Sequence, residues 1–247
     1  MEHITVAAGY RLYFKLDIKD TSSNQLLIFC HGSMCDNDSF FYPELLENIP
    51  VNTCRFDFSG CGRSEGIFAY DGFSREVADL QEIVQTMRFR GFSVMCTMGH
   101  SRGATVALIH SAEYGNIPLV ILLAPKFDMQ SDPKIYTSNK EHFDKDKFYD
   151  FHFKNRVFHI TLEQIYRAKW CNIRSYCERT ESKVFIFHGD KDRNIGLSEA
   201  YSFRDALGSK VHGFYVQHGA GHFFEGKIKM IADTIRDIWI QFCLTQL

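Results

Sequence analysis

Apolar positions along the chain fall into two kinds of run that alternate. Short, nearly continuous runs occur at residues 3–6, 11–18, 25–30, 52–56, 92–98, 118–123, 183–188 and 210–216. Runs of this length predict strands. Longer stretches at 40–48, 74–90, 102–114, 198–206 and 227–243 carry their apolar residues at helical spacing. In the last of these, Ile228, Ile231, Ile235, Ile238 and Phe242 fall on one stripe. Alternation of strand and helix predicts an α/β fold, a mostly parallel eight-stranded sheet with helices on both faces. The opening strands have no helix pattern between them and predict an antiparallel edge.

One interval breaks the rhythm. Residues 126–181 are dense in aromatic and charged side chains, including Phe143, Phe148, Tyr149, Phe151, Phe153, Phe158, Tyr166 and Trp170. So long a gap inside a compact domain predicts an inserted cap rather than a loop. The expected organisation is a core of residues 1–125 and 182–247 with a small cap at 126–181, in which TLEQIYRAKW reads as helix. The cap aromatics either roof a pocket or bury the cap against the core.

Composition narrows the class. The chain has 247 residues, 45% of them apolar and 23% charged, enough to bury a sizeable core. A net charge of −2 offers nothing to nucleic acid or to an acidic membrane. The opening MEHITVAAGYRLYFKLD lacks a signal-peptide pattern, Glu2 excludes N-myristoylation, and FCLTQL is not a prenylation box. No apolar run approaches membrane-spanning length. A cytoplasmic protein without stable membrane insertion is expected. Of the eight cysteines, Cys30, Cys54 and Cys96 lie in strand-like runs and Cys243 in a helix-like one, and no CxxC occurs. These read as buried reduced thiols rather than a disulfide framework. Asn37-Asp-Ser39 is a formal glycosylation sequon. His142, His152 and His159 have no metal-ligand spacing and read as surface residues.

The chemistry concentrates where strands end. GHSRG at 99–103 follows a strand and opens a helix. In G-x-S-x-G the serine sits on a tight strand-to-helix turn, and glycine on either side removes bulk that would strike neighbouring backbone. Ser101 is the candidate nucleophile; the alternative is a plain Gly-Ser turn. A serine hydroxyl needs a base. His222, in GAGH between the last strand and last helix, is placed to supply one. The base needs an orienting carboxylate. Asp190 and Asp192 both follow the penultimate strand in HGDKD, and Asp128 follows LVILL. Asp192 is favoured because the extra residues let it turn back over the sheet, with Ile195 anchoring the return. An oxyanion needs amide donors. The N–H of Arg102, after the nucleophile, and that of Ser33, in HGS after the third strand, are the candidates. DFSGCGRS at 57–64 fails as a dinucleotide loop, because Glu65 stands where the third glycine belongs. It reads as a structural loop beside the oxyanion turn.

Together, HGS, DFSGCGRSEG, GHSRGA, HGDKD and GAGHFF resemble the α/β-hydrolase superfamily of serine hydrolases in order and spacing. Within it the chain is similar to small esterase/lipase/thioesterase-like proteins of plants and fungi and to feruloyl-esterase-like enzymes. The resemblance implies Ser101 as nucleophile, His222 as base, Asp192 as acid, Ser33 and Arg102 as oxyanion donors, and no metal or organic cofactor. Ser59 and Cys61 depart from the D-x-R-G-H-G-x-S form of many relatives, which weakens transfer of their substrates. The expected activity is hydrolysis of a small-molecule carboxylic ester or thioester through an acyl-enzyme. A peptidase or amidase and a non-catalytic binding protein of the same fold are the alternatives. Dehalogenase and epoxide hydrolase chemistry would need an aspartate at the elbow. Oligomeric state is left open.

Overall fold

A computed structural model of the protein describes residues 2–244, with side chains through residue 242. Met1 and residues 245–247, the end of the FCLTQL segment, lie outside the described residues. Eight strands form one sheet: β1 (Glu2–Thr5), β2 (Arg11–Asp17), β3 (Gln25–Cys30), β4 (Thr53–Phe56), β5 (Ser93–His100), β6 (Leu119–Leu123), β9 (Lys183–Gly189) and β10 (Val211–Gln217). Their spatial order is β1-β2-β4-β3-β5-β6-β9-β10. The β1–β2 and β2–β4 pairs are antiparallel and every other pair is parallel. This is the α/β-hydrolase fold, antiparallel edge included.

The continuous apolar runs follow from burial on both faces. Every residue of β4 and of β6 is buried. Along β3 the period of two sends Leu26, Ile28 and Cys30 into one layer and Leu27 and Phe29 into the other. The first layer is closed by α2 (Phe73–Phe89), α3 (Arg102–Tyr114) and α8 (Leu197–Leu207), through side chains such as Leu80, Ile83, Val106 and Phe203. The second is closed by α1 (Tyr42–Asn48) and α9 (Ile228–Leu244). The predicted stripe on α9 is buried along its whole length, Ile228 through Phe242.

Between β6 and β9 the chain forms α4 (Lys134–Ser138), α5 (Lys140–Asp146), the antiparallel ribbon of β7 (Phe148–Phe153) and β8 (Arg156–Thr161), α6 (Leu162–Ala168) and α7 (Ile173–Arg179). α6 starts at a capping box: the Thr161 hydroxyl accepts from the Gln164 N–H at 3.2 Å, and the Gln164 side chain accepts from the Thr161 N–H at 3.3 Å. Tyr136, Phe143, Phe158, Ile160 and Ile165 bury together with Met34, Cys61 and Phe68 in a third cluster. The end of the interval behaves differently. Ala168, Ile173 and Cys177 join the first core layer, and α7 packs on α3 and α8. The aromatics split likewise: Phe143 and Phe158 are buried, whereas Tyr166 and Trp170 are 50% and 80% exposed.

Among the described side chains seven cysteines, Cys30, Cys54 and Cys96 of adjacent strands included, are free thiols; the side chain of Cys243 lies outside the described residues. Among the described residues no helix is long and apolar enough to cross a membrane.

Candidate active site

The turn between β5 and α3 holds Ser101 at φ 54°, ψ −119°, a region that costs a non-glycine residue conformational energy. Its neighbours show why glycine brackets it. A Cβ on Gly99 would lie 2.2 Å from the Gly103 carbonyl oxygen, and one on Gly103 would lie 2.3 Å and 2.4 Å from the Cys30 and His31 carbonyl oxygens. The Ser101 N–H donates to the Leu123 carbonyl of β6 at 2.8 Å, which ties the elbow to the sheet.

His222 sits in the loop between β10 and α9, with its imidazole largely buried. Its Nδ1 lies 2.6 Å from Asp192 Oδ2, in the loop that leaves β9. The other Asp192 oxygen accepts the N–H groups of Asn194 at 2.8 Å and Ile195 at 2.9 Å. Burial pulls the Asp192 carboxyl up, but the bond to His222, the charge of that ring and the two N–H donors outweigh it and hold the group below its usual 3.8. Asp190 faces elsewhere, accepting from the Gly219 N–H at 2.8 Å and facing His218 at 3.1 Å. Asp128 is bound up locally, accepting from the Gln130 N–H.

Ser101 and His222 line the same cavity, of about 490 Å³, together with Ser33 and Arg102. Among the described residues no hydrogen bond joins the Ser101 hydroxyl to the imidazole, and the backbone N–H groups of Ser33 and Arg102 donate to no protein acceptor. The structure therefore brings Ser33, Ser101, Arg102 and His222 to one cavity, with Asp192 bonded to His222 behind it.

Several residues at the site escape a reading of the sequence. The Arg102 side chain is buried. Its Nε–H donates to Glu76 on α2 at 2.7 Å, its Nη1 reaches the Tyr70 carbonyl at 2.8 Å, and its guanidinium lies 4.0 Å from the Phe73 ring centroid. Burial raises the Glu76 carboxyl above its usual 4.5, and Arg102 draws it back. His100 is buried between Tyr42 and the loop of His222, 2.8 Å from the Tyr42 hydroxyl and 2.9 Å from the His222 carbonyl. Burial, then the neighbouring His222, push its pKa well below 6.5. Phe40, at φ 53° and half exposed, stacks on Phe223 with centroids 4.4 Å apart. Above them Tyr149, Phe151 and Phe153 of the ribbon close the cavity. Along β8 of that ribbon Phe158 and Ile160 are buried and Val157 and His159 exposed.

The DFSGCGRS loop folds around a buried carboxylate. Asp57 accepts the N–H groups of Asn37 and Arg63, each at 2.8 Å, and the Phe58 N–H donates to His31 Nε2 at 3.0 Å. The sequon residue Asn37 is fully buried, with its side-chain amide also on Asp57. His142 and His159 are exposed and face Asp146 and Asp150. Among the described residues no group of three or more His, Cys, Asp or Glu could hold a metal ion.

Residues 21–140 match the family model described as serine aminopeptidase, S33. No curated protein sequence matches. Among solved structures, the chain is similar to Est1E from Butyrivibrio proteoclasticus with ferulic acid bound: 18% identity, TM-score 0.80, 98% of each chain covered. It is also similar to an esterase from Pyrococcus furiosus, at 17% identity and TM-score 0.72, covering 98% of this chain and 88% of that one. Alpha/beta hydrolase domain-containing protein 10 from mouse gives 16% identity and TM-score 0.74, with 98% of each chain covered.

Proposed function

From the α/β-hydrolase fold that this chain has, we propose that it is a serine hydrolase cleaving small-molecule carboxylic esters or thioesters through a Ser101–His222–Asp192 triad. The observation that carries this reading is the 2.6 Å bond between a fully buried Asp192 side chain and His222, in the cavity onto which the strained Ser101 opens.

Each group has one task. Asp192 accepts the Nδ1–H of His222, so the Nε2 lone pair is free to take the Ser101 proton as Oγ attacks the acyl carbon. The carbonyl π pair moves to oxygen, and the oxyanion is received by the N–H groups of Ser33 and Arg102, which have no other acceptor among the described residues. As the carbonyl re-forms, the ester or thioester bond breaks, and His222 passes its proton to the departing alkoxide or thiolate. Water then attacks the acyl-enzyme with His222 again as base, and releases the acid and Ser101. The start of α3 directs its N-terminal dipole at the same point. The roof over this floor is the stretch from residue 126 to the end of α6.

The likeness to the ferulic-acid-bound Butyrivibrio protein and to the Pyrococcus esterase supports ester cleavage. Amide hydrolysis is the second reading, favoured by the serine aminopeptidase family match. The test is labelling by a fluorophosphonate probe. Wild type labels and Ser101→Ala does not, and matched esters, thioesters and aminoacyl amides then rank the leaving groups. A wild-type chain that fails to label overturns the proposal.

A further inference from the structure

The catalytic elements proposed above come from three separate stretches: the turn after β3, the elbow after β5 and the loop before α9. Their amides and side chains must hold one geometry to within fractions of an ångström. One buried chain of hydrogen bonds joins all three. The Gly32 N–H donates to the Tyr42 hydroxyl at 3.1 Å, Tyr42 Oη lies 2.8 Å from His100 Nδ1, and His100 Nε2 lies 2.9 Å from the His222 carbonyl. Gly32 precedes Ser33, His100 precedes Ser101, and the last acceptor belongs to His222 itself.

Donor and acceptor roles along this chain are forced. A carbonyl only accepts, so His100 carries its proton on Nε2. Its Nδ1 is then an acceptor, and the Tyr42 O–H donates to it while receiving the Gly32 N–H. A second proton on His100 would make Nδ1 a donor and turn the Tyr42 O–H toward Cys35 Sγ, 3.7 Å away, undoing this order of donors; burial keeps that proton off. Tyr42 and His100 are 0% and 1% exposed. The fit at the first link is close: a Cβ on Gly32 would lie 3.1 Å from the Tyr42 hydroxyl and 3.4 Å from His100 Nδ1.

Resting on the serine-hydrolase reading, the geometry points to Tyr42 and His100 as positioning residues. They set the Ser33 amide, the Ser101 elbow and the His222 ring in register through the relay Gly32 N–H to Tyr42 to His100 to His222 C=O. Neither touches the reacting atoms. They act through the backbone of three residues that do.

Tyr42→Phe keeps the ring and breaks both bonds at the hydroxyl. His100→Gln places an amide N–H where Nε2–H stood, and His100→Leu removes both links. At a temperature where urea unfolding shows every variant fully folded, Tyr42→Phe and His100→Leu should lower kcat and the rate of fluorophosphonate labelling together, by about 10- to 100-fold. KM for a short ester should stay within about threefold, and His100→Gln should recover most of the loss. A purely structural role would lower stability and leave kcat and labelling at wild-type values, and that result overturns the proposal. A second measurement needs no variant. Histidine ¹⁵N spectra of the wild-type chain should show His100 neutral and protonated on Nε2 at pH 7; a proton on Nδ1 overturns the relay. Should the wild-type chain not label at Ser101, the hydrolase reading falls and this inference with it. Labelling at full rate in Tyr42→Phe and His100→Leu sinks the relay alone.

Discussion

Glu76 receives the Arg102 Nε–H at 2.7 Å with both side chains buried, so the residue that follows Ser101 is pinned to α2 by an ion pair shielded from water. Such a pair adds little net stability over an apolar replacement, but it is costly to break from one side. Glu76→Ala leaves a guanidinium stranded among Phe68, Tyr70 and Phe73 and should destabilise the fold by about 3–5 kcal/mol in urea unfolding. Glu76→Leu combined with Arg102→Met should recover part of that loss. Strict additivity of the two single changes would show that the pair is not coupled.

Replacing Asp192 by Asn leaves an acceptor on Ile195 and Asn194 but no charge opposite His222. By the behaviour of comparable triads, kcat should fall about 10⁴-fold. Asp190→Asn should leave kcat within about threefold, because its partners lie on the outer side of the turn. Equal losses in the two variants would remove Asp192 from its proposed role. The pH sign is also fixed. A carboxyl held below 3.8 contributes stability that is complete above that pH and drains as pH falls through the lower folded value. The stability gap between wild type and Asp192→Asn should therefore narrow in acid below about pH 4.

Gly103→Ala tests the elbow by sterics alone. The added methyl carbon meets two main-chain oxygens at the end of β3, and backbone there cannot retreat without moving the turn that carries Ser33. Loss of fluorophosphonate labelling is expected, along with destabilisation of at least about 1–3 kcal/mol. Wild-type labelling in a folded Gly103→Ala protein would contradict this packing.

His110, on α3 away from the cavity, carries a separate pH prediction. Burial, then the nearby Arg88, push its pKa from 6.5 down to about 4, and its Nε2 pairs with Gln81 at 2.8 Å. Below pH 6.5 the unfolded chain binds a proton that the folded chain refuses, so stability falls with pH until about pH 4. Over that span this one group withdraws about 3 kcal/mol. His110→Gln, which can still donate to Gln81, should flatten the pH dependence by that amount. A pH profile unchanged from wild type would place the proton elsewhere.

Much of the fold was legible because burial writes itself into runs and stripes. β3 and α3 fall on their expected spans, and the other strands and helices of the main sheet lie within about two residues of theirs. That Ser101 and His222 stand at one cavity was legible for a related reason: glycine flanks each along the chain, and glycine is visible in sequence. Which of Asp190 and Asp192 reaches His222 depended on chain reversal at Ile195, which sequence could suggest only as geometry. Tyr42 and His100 were beyond reach, since their meaning lies in contacts across 58 and 122 residues. The β7–β8 ribbon hid among aromatics on both of its faces. Its turn uses Lys154 at φ 50° in place of the Asn-Gly pair that normally announces a hairpin. α7 hid in the same interval, although it belongs with α3 and α8.

The roof proposed over the site shares its apolar cluster with Met34, Cys61 and Phe68 from the loops beneath it, and Met34 stands next to Ser33. A change among the buried side chains of the ribbon would therefore be felt at the rim of the cavity as well as overhead, so admission and turnover would be tuned together rather than apart.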